Sequence, residues 1–146
     1  MKLMAAGDQV LVAEFGDRID EAVNDQVHAL AAKIEEQQIP GIGEVVPTFR
    51  SLLIYYDSYQ LSYREAADKI EELARNLKTE QKTKKRILKI PCCYGARFGP
   101  DLADMEQLTG LDRKEMIDIH SSVDYKVYML GFLPGFAYLG GLDERI

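Results

Sequence analysis

The residues in this chain with the types and spacing to do chemistry are two glycine-aromatic segments, two adjacent cysteines and two histidines. One segment runs Gly131-Phe-Leu-Pro-Gly-Phe-Ala-Tyr-Leu-Gly-Gly141, with four glycines, one proline and three aromatics. Glycine admits positive φ and the close approach of another group, and aromatic rings supply rigid contact area. A plain helix or strand needs neither at this density. The other segment, Ile90-Pro-Cys-Cys-Tyr-Gly-Ala-Arg-Phe-Gly-Pro-Asp-Leu102, again sets Tyr-Gly and Phe-Gly-Pro-Asp after a strand pattern and before a helix pattern. The binding candidates are Tyr94, Gly95, Phe98, Gly99 and Asp101 in one segment. In the other they are Gly131, Phe132, Pro134, Gly135, Phe136, Tyr138, Gly140 and Gly141. A tight turn folded under a core accounts for the same glycines and aromatics without a ligand. Phe98, Phe132 and Phe136 then read as packing residues, and Asp101 reads as a helix cap.

His120 joins the candidates because it closes a helical stretch, where a cation gains about 0.3–1 kcal/mol from the helix dipole. His28 lies mid-helix beside an apolar stripe and reads as a surface or boundary residue. Asp118, His120 and Asp124 offer two carboxylates and an imidazole with no second cluster, so no metal site is assigned. Cys92 and Cys93 are neighbours on an expected strand, where side chains alternate faces, so no mutual disulfide is expected. They read as small hydrophobes, one buried and one half-buried, in a reduced chain. No Walker motif and no Gly-x-Ser-x-Gly occurs, and Gly41-Ile-Gly43 follows a helix pattern where a dinucleotide loop would follow a strand. The chain carries no complete catalytic machine of its own.

The elements that must position these residues can be read from periodicity. Val10–Phe15 reads as a strand. Asp20 caps a helix to about Gln38, whose apolar residues Val23, Val27, Leu30 and Ile34 step by 4, 3 and 4. Pro40-Gly41 stops it. Ile42–Phe49 and Ser51–Tyr56 read as strands, with Pro47 marking an edge or irregularity. Ser62-Tyr-Arg-Glu65 is a capping box opening a helix with stripe Ala66, Ile70, Leu73 and Leu77. Glu80–Arg86 is a Lys-rich connector, and Ile87–Cys93 completes the set as a strand. The order β-α-β-β-α-β predicts an α+β, ferredoxin-like sandwich with both helices on one face. Short helices follow, one capped by Asp101 and ended by Gly110, the next opened by the capping box Asp112-Arg-Lys-Glu115 and running to about His120. Tyr125–Phe132 is the fifth strand.

At 146 residues the chain has room for one domain, or one with a small annex. A net charge of −6 argues against nucleic acid as the main partner, since phosphate recognition wants a basic face. No apolar leader follows Met1-Lys2-Leu3-Met4, and Val127–Leu142 is too short and too rich in Gly and Pro for a membrane span.

The two glycine-aromatic segments together resemble the 5-oxoprolinase B-subunit family. That family is also called allophanate hydrolase subunit 1, and it includes the inhibitor of the sporulation histidine kinase. Its pattern Ile-Pro-Val-Cys-Tyr-Gly-Gly-x-Phe-Gly-Pro-Asp-Leu falls on Ile90–Leu102. Its pattern Tyr-x-Val-Tyr-Met-Leu-Gly-Phe-x-Pro-Gly-Phe-x-Tyr-Leu-Gly-Gly falls on Tyr125–Gly141. Gly7-Asp8, Glu14-Phe15-Gly16, Ile19-Asp20, Asn24 and Val45–Leu53 fit as well. Ala96 stands where a second glycine is usual, and Cys92 where a valine is usual.

The resemblance implies residues 1–93 as a first domain, and 94–146 as a connector, strand and loop entering a cyclophilin-like β-barrel that continues beyond this sequence. It implies a component of a bacterial, cytoplasmic, ATP-dependent 5-oxoprolinase that opens 5-oxoproline to glutamate with subunits A and C. ATP is used by the complex, and this chain binds no cofactor. An isolated chain is expected to be inactive. The alternative is an inhibitor of sensor histidine kinase autophosphorylation; the third reading is an allophanate hydrolase or urea carboxylase-related subunit. The expected functional surface is where Tyr94–Asp101 meets Gly131–Gly141, unless those residues seal a seam between two domains of one chain.

Overall fold

The computed structural model describes residues 1–77 and 86–146, apart from the side chain of Ala96. The expected connector Glu80–Arg86 lies outside the described residues except at its last position. The fold is α+β, built on a four-stranded, wholly antiparallel sheet. Its strands are β1 (Lys2–Ala5), β2 (Val10–Glu14), β3 (Ile42–Pro47) and β4 (Ser51–Tyr56), in the order β1-β2-β4-β3. Two long helices accompany them, α1 (Glu21–Gln37) and α2 (Tyr63–Arg75).

Alternation builds the core. Leu11 and Ala13 of β2 and Leu52, Ile54 and Tyr56 of β4 are buried, while the residues between them are less so. The register sets Leu11 opposite Ile54 and Ala13 opposite Leu52, so the buried side chains share one face. Onto that face α1 lays Val27, Leu30 and Ile34, and α2 lays Ala66 and Ile70. The predicted stripes are the packed ones except at Val23, which is half-buried outside the core cluster; Leu73 and Leu77 are partly buried against the same core.

Local chemistry sets the helix ends. The Asp20 carboxylate accepts from the Ala22 and Val23 N–H groups at 2.8 and 3.1 Å, filling two donors that a helix start leaves open. Gln38 closes α1 in the left-handed region at φ 44°. Ser62 and Glu65 form the full reciprocal capping box at α2.

One strand is not where the sequence pattern puts it. Ile87–Cys93 is irregular and exposed, with Ile90 82% accessible. The seat beside β2, which the β-α-β-β-α-β pattern gives to that segment, belongs to β1. The reason is physical. β1 reaches β2 through a short turn closed by Ala6 N–H donating to Val10 O at 2.9 Å, and short loops cost little closure entropy. Ile87–Cys93 carries Pro91, which lacks a ladder donor.

Beyond the sheet come a 3-10 turn (Ala96–Phe98), α3 (Leu102–Thr109) and α4 (Arg113–Ser121). Last is a separate two-stranded ribbon of β5 (Lys126–Leu130) and β6 (Ala137–Gly140). Gly110 ends α3 at φ 72°, and Asp112 caps α4 by accepting from Glu115 N–H at 2.8 Å. Asp101 stands at the start of α3, but its side chain makes no capping bond, because its backbone is already helical (φ −88°, ψ −5°). The capping role expected of its carboxylate is therefore not the one it plays.

These assignments separate two truncations. Leu30→Ala should lower the unfolding free energy by about 2–5 kcal/mol, whereas Ile90→Ala should change it by less than about 0.5 kcal/mol. Urea denaturation of the two variants checks this, and comparable losses would return Ile87–Cys93 to the core.

Candidate functional site

The expected loop Gly131–Gly141 is a β-hairpin turn with its second strand attached. β5 pairs with β6 from Lys126–Gly140 to Leu130–Ala137, with a bulge between Val127 and Met129. The turn is closed by Gly131 N–H donating to Phe136 O at 3.1 Å and Phe136 N–H donating to Leu133 O at 3.0 Å. Gly135 sits at φ 77° and Phe132 at φ 64°. Positive φ is unusual for a residue with a side chain; it lifts the Phe132 ring off the ribbon, 85% exposed. Pro134, Gly135 and Gly141 are also exposed, and Gly131 is half-buried.

The inner face of the hairpin is held by one buried amide. Asn24 of α1 is fully buried, and the two N–H bonds of its Nδ2 are shared among Thr48 O at 3.0 Å, Phe49 O at 3.2 Å and Tyr128 O at 3.2 Å. The orientation is fixed, since a flipped amide would set its oxygen against three carbonyls. His28 Nε2 donates to the same Tyr128 carbonyl at 3.0 Å, four residues along the helix from Asn24. Lys126 Nζ pairs with Asp25 at 2.6 Å, donates to Glu21 O, and lies 5.2 Å from the Tyr128 ring.

Above these bonds runs a chain of rings. Tyr128 meets Phe49 at 5.4 Å, Phe49 meets Tyr138 at 5.9 Å, Tyr138 meets Phe136 at 5.3 Å, and Phe136 meets Phe132 at 6.0 Å. Three of these contacts are edge-on, the arrangement the ring quadrupole favours. Gly140 is required here: a Cβ would meet Tyr128 Cε2 at 2.5 Å. Burial, and then the negative charges of Glu21, Asp20 and Asp25, raise the Tyr128 phenol above its ordinary pKa. The outer face of the ribbon is bare, with Val127, Leu130 and Leu139 exposed.

The other segment forms a second cluster around His120, the penultimate residue of α4. Tyr94 Oη and His120 Nδ1 are 2.5 Å apart, and their rings meet edge-on at 5.7 Å. Tyr125 also packs its ring against His120 at 5.3 Å and donates from Oη to the His120 carbonyl at 2.9 Å. Burial chiefly, with Cys92 next, raises the Tyr94 phenol above its ordinary pKa. Gly99 shapes the loop, since a Cβ there would meet Leu102 Cδ1 at 2.6 Å and Tyr94 O at 2.7 Å. Gly95 has open space around it, and Phe98 is exposed with the Arg97 guanidinium 4.9 Å over its ring. Both cysteines are free and exposed, because the strand expected to bury one of them does not form.

Among the described residues, then, the candidates fall into two groups: Tyr94 with His120, and Phe132, Phe136 and Tyr138 on the hairpin. Phe49, Tyr125 and Tyr128 complete the groups and were not singled out from sequence. A Tyr at alternate positions of an apolar strand signals packing as readily as a site. No group of three or more His, Cys, Asp and Glu residues placed to hold a metal occurs among the described residues. No helix among them is long and apolar enough to cross a membrane.

The chain belongs to the family described as carboxyltransferase domain, subdomain C and D, which matches residues 1–146. It is 41% identical over 150 residues to the 5-oxoprolinase B subunit of Bacillus subtilis (strain 168), covering 96% of this chain and 62% of that one. It is 32% identical over 142 residues to the 5-oxoprolinase B subunit of Escherichia coli O157:H7, covering 96% of this chain and 63% of that one. The chain therefore spans somewhat under two thirds of these relatives. The crystal structure of TTHA0988 superposes with a TM-score of 0.79 at 28% identity, over 94% of this chain and 26% of that one.

The buried amide carries a direct expectation. Asn24→Leu keeps the helix stripe apolar but removes the side-chain donor to Thr48 O and Phe49 O, and leaves Tyr128 O with His28 alone. A buried acceptor left unpaired costs about 1–3 kcal/mol. Denaturant midpoints should fall accordingly, and amide exchange should quicken first in the hairpin, at Gly131 and Phe136. Unchanged hairpin exchange would show that Asn24 is not what holds the ribbon.

Proposed function

We propose that this chain acts within the B component of a bacterial, cytoplasmic, ATP-dependent 5-oxoprolinase, opening 5-oxoproline to glutamate together with subunits A and C. The observation that carries the reading is the 41% identity to a protein of that name across 96% of the chain. The geometry supports it in two respects. The lactam C–N bond is stable, so its hydrolysis needs coupling to ATP, and this sequence has no phosphate-binding loop. In this reading the complex uses ATP, and we assign no cofactor to this chain. What the chain does offer is a rigid aromatic ribbon with a bare outer face and a Tyr–His pair on a helix end. A surface of that kind suits docking, since interfaces concentrate their energy in a few aromatic anchors. In this reading the ribbon seats a partner protein or the continuing barrel, and the four-stranded half serves as its platform.

The deciding experiment co-expresses the full-length protein with candidate subunits A and C and follows ATP-dependent loss of 5-oxoproline. Loss that requires all three proteins supports the reading. No loss, together with inhibition of a sensor histidine kinase's autophosphorylation by the full-length protein, would put the regulator in its place.

Within that complex, Phe132→Ala removes a ring that is 85% exposed and, among the described rings, meets Phe136. We expect the melting temperature to stay within about 2 °C, because surface truncations change stability by at most about 0.5 kcal/mol. Assembly with subunits A and C should weaken by about 30-fold, the equivalent of an anchor worth about 2 kcal/mol. Calorimetric titration measures it, and an unaltered affinity would remove the hairpin tip from the interface.

A further inference from the structure

The Tyr94–His120 pair is more constrained than a helix end requires. The last carbonyls of α4 are already served: Tyr125 Oη donates to His120 O at 2.9 Å, and Ser122 N–H and Oγ donate to Ile119 O at 3.4 and 3.0 Å. His120 does none of that work with its ring. The imidazole is instead in contact with two tyrosine rings, with its Nδ1 against a phenol. Its Nε2 has no hydrogen-bond partner among the described residues, and the residue is only half-buried.

We propose that Tyr94 locks His120 in the Nε2–H tautomer, and that His120 presents this N–H to the carbonyl oxygen of a small lactam or amide ligand. The ligand class rests on the 5-oxoprolinase reading above; the lock does not. A phenol O–H is a strong donor with a weak acceptor oxygen, and a neutral imidazole nitrogen is the reverse, so the shared proton belongs to Tyr94 and points at Nδ1. The phenol keeps that proton at neutral pH, since burial and Cys92 raise its pKa. With Nδ1 occupied as an acceptor, the ring's own proton sits on Nε2.

The chemistry follows from the lock. When a nucleophile adds to a carbonyl carbon, negative charge gathers on the oxygen, and a fixed N–H stabilises it. His120 would not hand its proton over, because neutrality at the ring would then demand the Tyr94 proton and create a phenolate that burial disfavours. The bond is therefore an electrostatic contact to the reacting oxygen, with no proton transferred. Tyr94 acts as a positioning residue. Gly99 belongs to the same device, as a side chain there would collide with the Tyr94 carbonyl at 2.7 Å.

Two measurements on the full-length protein test this. In protein labelled with 15N-histidine, the His120 ring should show the Nε2–H tautomer at neutral pH, and Tyr94→Phe should release it to a mixture. An Nδ1–H tautomer or an imidazolium in the unsubstituted protein overturns the proposal, whether or not any activity is found. In the complex with subunits A and C, His120→Ala should lower kcat for 5-oxoproline by about 10²–10³-fold, the usual cost of losing one such donor. His120→Gln, whose amide N–H can take the Nε2 position but cannot carry a proton, should stay within about tenfold of the unsubstituted protein. If Gln is as damaging as Ala, His120 moves a proton and the donor role is wrong; if Ala is harmless, there is no site. An unsubstituted complex that leaves 5-oxoproline untouched sinks the 5-oxoprolinase reading instead, while the tautomer measurement still decides the lock.

Discussion

The side-chain amide of Asn24 is the constraint on which the rest of the structure depends. It is fully buried, and its Nδ2 reaches carbonyls on the β3–β4 turn and on β5, 104 residues away in sequence. An apolar residue would suit the stripe of α1 equally well, but would take this donor from the part-buried carbonyls of Thr48 and Phe49 and leave the Tyr128 carbonyl to His28 alone. Because one amide serves Thr48, Phe49 and Tyr128 together, the turn that positions the Phe49 ring and the strand that positions the Tyr128 ring share one reference point. The aromatic chain above them follows from that placement.

That anchor explains how a two-stranded ribbon persists. Isolated hairpins are marginal in water, and β5–β6 lies in its own sheet. It is fixed from below by polar bonds from one helix: Asn24 and His28 to Tyr128 O, and Asp25 to Lys126. The Lys126–Asp25 pair is partly exposed and worth little alone. Its use is geometric, fixing the start of β5 over the first turns of α1. Binding the ribbon by its backbone leaves its outer side chains, Val127, Leu130 and Leu139, substantially exposed.

Sequence periodicity revealed what is local. The stripes of α1 and α2, the alternation of β2 and β4, and the caps at Asp20, Ser62 and Asp112 depend on residues within a turn or two of one another, and all are found in the structure. What escaped is set by distance or competition. Lys2–Ala5 has neither β-branched residues nor clear alternation, and becomes a strand because β2 is close by. Ile87–Cys93 has the better strand composition and loses the seat. β6 was hidden inside a glycine-rich stretch that reads as loop, since its pairing partner supplies the order. For the site, Tyr94 and His120 each stood out by type and setting, but nothing in either neighbourhood announces that 26 residues of separation close to a 2.5 Å contact.

The two clusters are nonetheless tied through a single residue. Tyr125 holds His120 by its ring and by its hydroxyl, and the next residue, Lys126, opens β5 and carries the ion pair to α1. Four residues separate His120 from Tyr125, too few to absorb much displacement. A shift of the ribbon along its axis therefore moves Tyr125, and with it the surface against which the imidazole is packed. Asn24 and His28 oppose that shift by gripping the carbonyl of Tyr128, three residues further on. The orientation of the Tyr–His pair and the seating of the aromatic ribbon are thus two readings of one mechanical fact, the position of β5 on α1.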